Sequence, residues 1–266
     1  MSNDLRQNWW ITGASSGIGR ELALLLAEQG HRVYISARNA TELATLALQY
    51  PGLLLPLPCD VSDDQAMAGL FANVADVPPW LDGVILSAGV CEYVELPELE
   101  LAVCRRVFAV NYFGVVNACR AALPLLQAGR KRTPHRTPQL VGISSLSSLV
   151  GFPRAEAYGA SKAAMTYFLD SLRCDVQPAI AVTVVSPGFV TTPMSVRNDF
   201  AMPFVWPARK AAEFIVARLG QSRNAIYFPW QLHMLLALAA RLPGLWYRFI
   251  VPKLARTGRH SPGADA

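Results

Sequence analysis

Tyr158 and Lys162 lie four residues apart in YGASK (158–162), so on a helix their side chains share one face. A tyrosine hydroxyl ordinarily titrates near pH ~10, too high for reversible proton transfer at neutral pH. A lysine cation nearby favours the phenolate and lowers that value, which is the logic of an acid–base pair. Serines precede the pair at 144, 145, 147 and 148 in GISSLSS. If the strand runs through Ser144 and Ser145, they point to opposite faces and only one can serve the tyrosine. Ser147 and Ser148 are expected to shape the loop. Standing alone, the spacing would fit a packed tyrosine and a solvated lysine better than a catalytic pair.

A second candidate is TGASSGIG (12–19), which follows an apolar run and opens a helical pattern. Gly13, Gly17 and Gly19 permit a tight turn and close backbone approach. Ser15, Ser16 and Ile18 fill the turn and the first helical positions, where unpaired N–H groups and the helix dipole favour a pyrophosphate. A Gly/Ser turn with no ligand is the plain alternative. The strand–turn–helix context favours a dinucleotide.

The elements that must position these residues alternate along the chain. Strand patterns fall at 9–12, 32–37, 53–61, 84–89, 139–145 and 180–188; helical patterns fall at 20–30, 40–50, about 101–126 and from near Tyr158. Apolar strands alternating with helices imply a parallel sheet covered on both faces. The expectation is one Rossmann-type, doubly wound α/β domain over residues 1–266, with a hydrophobic and basic helical extension from about 225.

Composition narrows the classes. At 52% apolar and 16% charged, the 266 residues supply a full core and exclude a disordered chain. The net charge of +5 is concentrated in GRKRTPHRTP (129–138) and near the C-terminus, at Arg241, Arg248, Lys253, Arg256 and Arg259. The first cluster lacks the stacking aromatics of a nucleic-acid groove and reads as a solvated loop. Five scattered cysteines, without ligand spacing, indicate neither a disulfide framework nor a metal site. MSNDLRQNWWITG leaves no room for a signal peptide's apolar core, so a cytoplasmic protein is expected.

Taken in order, these segments resemble the short-chain dehydrogenase/reductase family. TGASSGIG has the family's TGxxxGxG form. CDV (59–61) matches its Asp-Val, which would set Asp60 and Val61 at the adenine. SAG (87–89) matches its NNAG, giving Ala88 and Gly89, with Leu86 and Ser87 in place of both asparagines; this bears on the tie between neighbouring strands. VNYFG (110–114) carries the family asparagine as Asn111. GISS…YGASK matches the catalytic segment, with Ser145 at the family's separation from Tyr158. SPGFVTT (186–192) matches the motif beside the nicotinamide, with Pro187, Gly188, Val190 and Thr192. The matches cover roughly residues 9 to 195.

The resemblance implies a proton relay of Asn111, Ser145, Tyr158 and Lys162 that interconverts a carbonyl and an alcohol. Lys162 and the positive oxidised nicotinamide would together lower the tyrosine's pKa. Lys162 would also hold the nicotinamide ribose, Ser145 the substrate oxygen, and Asn111 a relay water. Ala37 leaves the end of the second strand without the carboxylate that reads an NAD ribose, and Arg38 follows, so NADP(H) is expected over NAD(H). A silent NADP(H)-sensing or scaffold protein is the alternative, although loss of the tyrosine or lysine would mark it. A nucleotide-sugar epimerase would carry a different glycine turn. The segment 194–219, with Met194, Phe200, Met202, Phe204, Val205 and Trp206, reads as an apolar lid for a lipophilic carbonyl or alcohol, or as core. Residues 227–260 combine aromatics with cations and suit a membrane surface, a subunit contact or a pocket wall. The resemblance further implies a homodimer or homotetramer through helices around 101–126 and 158–176.

Overall fold

The computed structural model describes residues 6–71, 80–221 and 223–257. The element order is β1 (Asn8–Thr12), α1 (Gly17–Glu28), β2 (Arg32–Ser36), α2 (Ala40–Ala47), β3 (Leu54–Pro56), α3 (Asp64–Ala68), β4 (Gly83–Leu86), α4 (Leu101–Phe108) and α5 (Gly114–Arg132), the last two joined by a π turn at Ala109–Phe113. Then come β5 (Gln139–Ile143), α6 (Glu156–Val176), β6 (Ala181–Pro187), the short pair β7 (Val190–Thr191) and β8 (Trp206–Pro207), α7 (Ala208–Val216) and β9 (Ala225–Phe228). The described chain closes with α8 (Trp230–Arg241), α9 (Pro243–Leu245), a π turn at Trp246–Ile250 and α10 (Val251–Thr257).

Seven parallel strands form one sheet in the order β3-β2-β1-β4-β5-β6-β9. The sheet is buried on both faces, and the tandem tryptophans of β1 show why. Trp9 enters the core layer shared with α1, α2 and α7, whereas Trp10 enters the layer shared with α3, α5 and α6. Each indole N–H finds an acceptor, Trp9 at Gln7 Oε1 (2.8 Å) and Trp10 at Ser36 Oγ (2.9 Å). Strand order reverses about β1, which has β2 on one side and β4 on the other. The loops leaving β1 and β4 diverge there, and the crevice between them is where such sheets bind ligands.

Among the differences from the sequence reading, four change how the segments are understood. The third strand contracts to three residues at the sheet edge. Leu57 and Cys59 N–H still donate to Ile35 O (2.8 Å) and Ala37 O (3.1 Å), and Pro56 and Pro58 occupy the alternate positions, which need no donor on an edge strand. Helix α5 runs on to Arg132, so the first three cations of the basic cluster sit at a helix C-terminus, where the dipole favours them. Arg132 lies over the Trp80 ring at 4.0 Å, an aromatic partner distant in sequence. AIYF (225–228), read as the start of an extension, is the seventh strand, paired with β6. Finally, α7 buries Ala211, Ala212 and Ile215 in the core layer it shares with α1, and Trp206 stacks on Phe228, so the lid reading fails beyond about residue 205. Arg259 and the rest of 258–266 lie outside the described residues.

Candidate active site

The turn between β1 and α1 is shaped by close approach. Gly13 has φ +68°, and a Cβ there would lie 2.6 Å from the backbone N and Cα of Ala88. At Gly19 a Cβ would lie 2.3 Å from the Gly13 carbonyl oxygen, so only glycine lets the first turn of α1 fold back on the loop. Ser16 precedes the helix without a side-chain cap, leaving the first-turn N–H groups of α1 to the crevice. The tie to β4, which the Leu-Ser replacement brought into question, is made by Thr12, whose Oγ1 accepts from the N–H groups of Ser87 and Ala88 (3.2 Å each).

A cavity of about 1080 Å³ runs from this turn to the C-terminal helices. Of the residues expected at the site, Gly13, Ser15, Ser16, Gly17, Ile18, Arg38, Asp60, Val61, Ala88, Gly89, Ser145, Tyr158, Lys162, Pro187, Gly188, Val190 and Thr192 all line it. Gly19 and Asn111 do not; they stand behind its wall.

Asn111 lies in the π turn and is fully buried. Its Oδ1 accepts from Val90 N–H (2.8 Å), and its Nδ2 donates to Val90 O (2.9 Å) and Ser161 Oγ (2.9 Å). The carboxamide therefore clamps the loop after β4 onto α6, the helix that carries Tyr158 and Lys162.

The two candidate serines separate cleanly. Ser144 is buried, with its hydroxyl engaged by Lys162 O (3.2 Å) and Thr166 Oγ1 (2.7 Å). Ser145 accepts from Ser147 N–H (3.1 Å) and from the Ser147 hydroxyl (3.0 Å), and it lines the cavity together with Tyr158, near enough to act on its hydroxyl. Alternation thus sends one serine into the fold and the other to the tyrosine.

Lys162 is 5% exposed and donates to Ile143 O (2.8 Å), while its Nζ lies 5.9 Å from the Tyr158 ring centroid. Burial, partly offset by Cys91, lowers its pKa to about 8. Burial likewise pushes the Tyr158 hydroxyl up, as do Cys91 and Tyr93, and only the nearby Ser145 hydroxyl opposes this. The expected lowering of the tyrosine is thus not a property of the protein alone. The lysine is directed at a backbone carbonyl, and desolvation outweighs its influence on the phenol.

Asp60 accepts from the backbone N–H (2.9 Å) and hydroxyl (2.6 Å) of Ser62. Burial raises its pKa, but these bonds, with Arg38 nearby, hold it below the usual carboxylate range. Arg38 itself is exposed at the cavity rim beside Asn39, which caps α2 through its side chain.

Sequence reasoning missed the distal wall. Arg154, at φ +65°, pairs with Glu95 from the loop after β4 and, through Nη1, with both carboxylate oxygens of Asp199 (2.8 Å each) from the segment after β7. Its guanidinium lies 4.7 Å over the Tyr93 ring, and the Tyr93 hydroxyl bonds Asn198. This network joins two loops across the cavity, and no local pattern in the sequence signals it. Cys91, Phe152, Phe189 and Phe200 complete the apolar part of the wall, together with Leu232, Leu236 and Trp246.

A family model described as short chain dehydrogenase matches residues 7–201. The chain belongs to the short-chain dehydrogenase/reductase family. The family comprises oxidoreductases acting on CH–OH and C=O groups. An uncharacterized oxidoreductase of Myxococcus xanthus is 34% identical over 237 residues, covering 88% of this chain and 91% of that one. Dehydrogenase/reductase SDR family member 7B of Bos taurus is 32% identical over 275 residues, covering 94% and 83%. Among solved structures, a short-chain dehydrogenase from Burkholderia cenocepacia in complex with NADP superposes with a TM-score of 0.73 over 97% of this chain and 98% of that one. At 24% identity this likeness concerns the fold.

Proposed function

We propose that this family member is an NADP(H)-dependent oxidoreductase that interconverts a lipophilic ketone or aldehyde with its alcohol. The observation that carries the reading is the meeting of Ser145, Tyr158 and Lys162 in one cavity, with the glycine turn at one end and an apolar wall at the other. The cradle that a Cβ at Gly13 or Gly19 would fill fits the pyrophosphate of a dinucleotide. Gly13, Ser15, Ser16, Gly17 and Ile18 would hold the phosphates, Asp60 and Val61 the adenine, and Pro187, Gly188, Val190 and Thr192 the nicotinamide side. Arg38 would pair with a 2′-phosphate, and Ala37 offers no carboxylate to repel it. The NADP complex of the Burkholderia relative is in keeping with that preference.

When bound, a reduced nicotinamide supplies a hydride for the carbonyl carbon. Ser145 holds the carbonyl oxygen beside Tyr158, and the Tyr158 hydroxyl gives its proton to that oxygen as the alcohol forms. The raised pKa suits this direction: burial keeps the phenol protonated until a more basic alkoxide develops. Lys162, still mostly cationic at pH 7, stabilises the phenolate left behind and can hold a ribose hydroxyl. Asn111 fixes the loop and helix between which the relay sits. Phe113 and Tyr167, 55% and 77% exposed on the helical face of α4–α6, are suited to a homodimer or homotetramer contact.

The test is a side-by-side titration with NADPH and NADH, followed by a panel of carbonyl compounds of increasing chain length. Tyr158→Phe should cut turnover by at least ~100-fold, the scale of a lost general acid, with NADPH affinity nearly unchanged. Nucleotide binding without turnover in the native protein would point instead to a sensing role.

A further inference from the structure

Helix α8 is apolar on nearly every side, a pattern expected of a helix buried all round. Only one stripe is covered: Leu232, Leu236 and Ala239 pack with Leu146 and Trp246. On the outer side, Trp230, Met234, Leu235, Leu238 and Leu242 are 45–69% exposed. After a bend of 102°, Leu245, Tyr247, Phe249 and Ile250 continue the surface at 43–55% exposed. The bend is held in place, since Trp246 Nε1 donates to Gly151 O (3.1 Å) and the Tyr247 hydroxyl accepts from Gly151 N–H (3.1 Å).

Charge decides what fits this face. The sequence has no Asp or Glu between Glu213 and Asp265, while Arg241, Arg248 and Lys253 are exposed beside the apolar residues. A second copy meeting the same face across a two-fold axis would set cation against cation with no carboxylate on the patch to neutralise them. An anionic lipid surface satisfies both properties, taking the cations at its headgroups and the side chains at its acyl boundary. Leu235 and Ile250 belong both to this surface and to the lining of the active-site cavity, so the cavity opens within the patch.

We propose that α8 to α10 seat the protein on an anionic membrane surface with the cavity mouth facing the lipid. On the reading of a lipophilic substrate, carbonyl compounds dissolved in the membrane then enter the site without crossing water. Seating itself requires neither nucleotide nor substrate, so its test stands apart from that of the proposed activity.

The experiment is co-sedimentation of the full chain with vesicles of phosphatidylcholine, alone or mixed equally with phosphatidylglycerol. Three cations at about 1 kcal/mol each predict partitioning on the order of 100-fold stronger to the anionic vesicles. Arg241→Gln/Arg248→Gln/Lys253→Gln should reduce that preference to a few-fold. Leu238→Asp/Phe249→Asp, which leaves the cavity lining intact, should abolish binding with an unchanged circular dichroism spectrum. Brominated phosphatidylcholine in the anionic vesicles should quench tryptophan emission, and Trp230→Phe should remove much of the quenched component. Equal partitioning to both vesicle types overturns the proposal. So does a protein that ignores vesicles and is converted from dimer to monomer by Leu238→Asp/Phe249→Asp, which would assign the face to a second copy.

Discussion

Lys162 gives the sharpest test of the site's electrostatics, because its burial ties stability to pH. Its folded pKa of about 8 lies below the usual lysine value of 10.5. Between those values the unfolded chain binds more protons than the folded one, so stability rises with pH across that window. The gap of about 2.5 pH units means that holding the charged ammonium inside costs about 3 kcal/mol at pH 7. By pH 9.5 the folded lysine is almost wholly neutral and the unfolded one still mostly charged, so about 2 kcal/mol of that cost is relieved. Lys162→Met keeps the length of the stem and removes the titration. It also leaves Ile143 O without its 2.8 Å donor, a loss of about 1–3 kcal/mol at either pH. Other titrating groups contribute alike to both proteins, Cys91 beside the lysine included, because burial pushes its thiol up to about 11 and keeps it protonated in either folded protein at both pH values. Urea unfolding of wild type and variant at pH 7 and pH 9.5 therefore isolates the lysine. The wild type should gain about 2 kcal/mol relative to the variant between the two pH values. A stability difference that is the same at both would refute the reasoning and mean that the ammonium is solvated in the folded protein.

Two further substitutions probe the nucleotide end. Arg38→Asp should weaken NADPH binding by about tenfold to a hundredfold, the worth of a charge-assisted hydrogen bond, and leave NADH binding little changed; an unaltered ratio in fluorescence titration would assign phosphate recognition to another group. Gly19→Ala places a methyl group where only 2.3 Å separates it from Gly13 O, so the turn must open. A loss of about 1–3 kcal/mol in stability is expected, with weaker NADPH affinity, and a variant with native melting temperature and affinity would show that the turn yields freely.

The sequence discloses this protein in proportion to how local each constraint is. The glycine turn is legible because its geometry depends on residues within a few positions: Gly19 is needed where α1 meets Gly13, six residues earlier. The distinction between Ser144 and Ser145 is legible for the same reason, since strand alternation alone separates their hydroxyls. The position of Asn111 is not, because the π turn that buries it is a local register change with no side-chain signature. Nor is Arg154, whose partners Glu95 and Asp199 come from loops 59 and 45 residues away. The raised pKa of Tyr158 belongs with these. The four-residue spacing says that tyrosine and lysine share a helix face, but the balance between burial and charge depends on what else lines the cavity. Here Cys91 and Tyr93, which the sequence reading passed over, add to the desolvation that keeps the phenol protonated. The acid–base pair is thus announced by spacing, while the protonation state in which it waits is set by the wall around it.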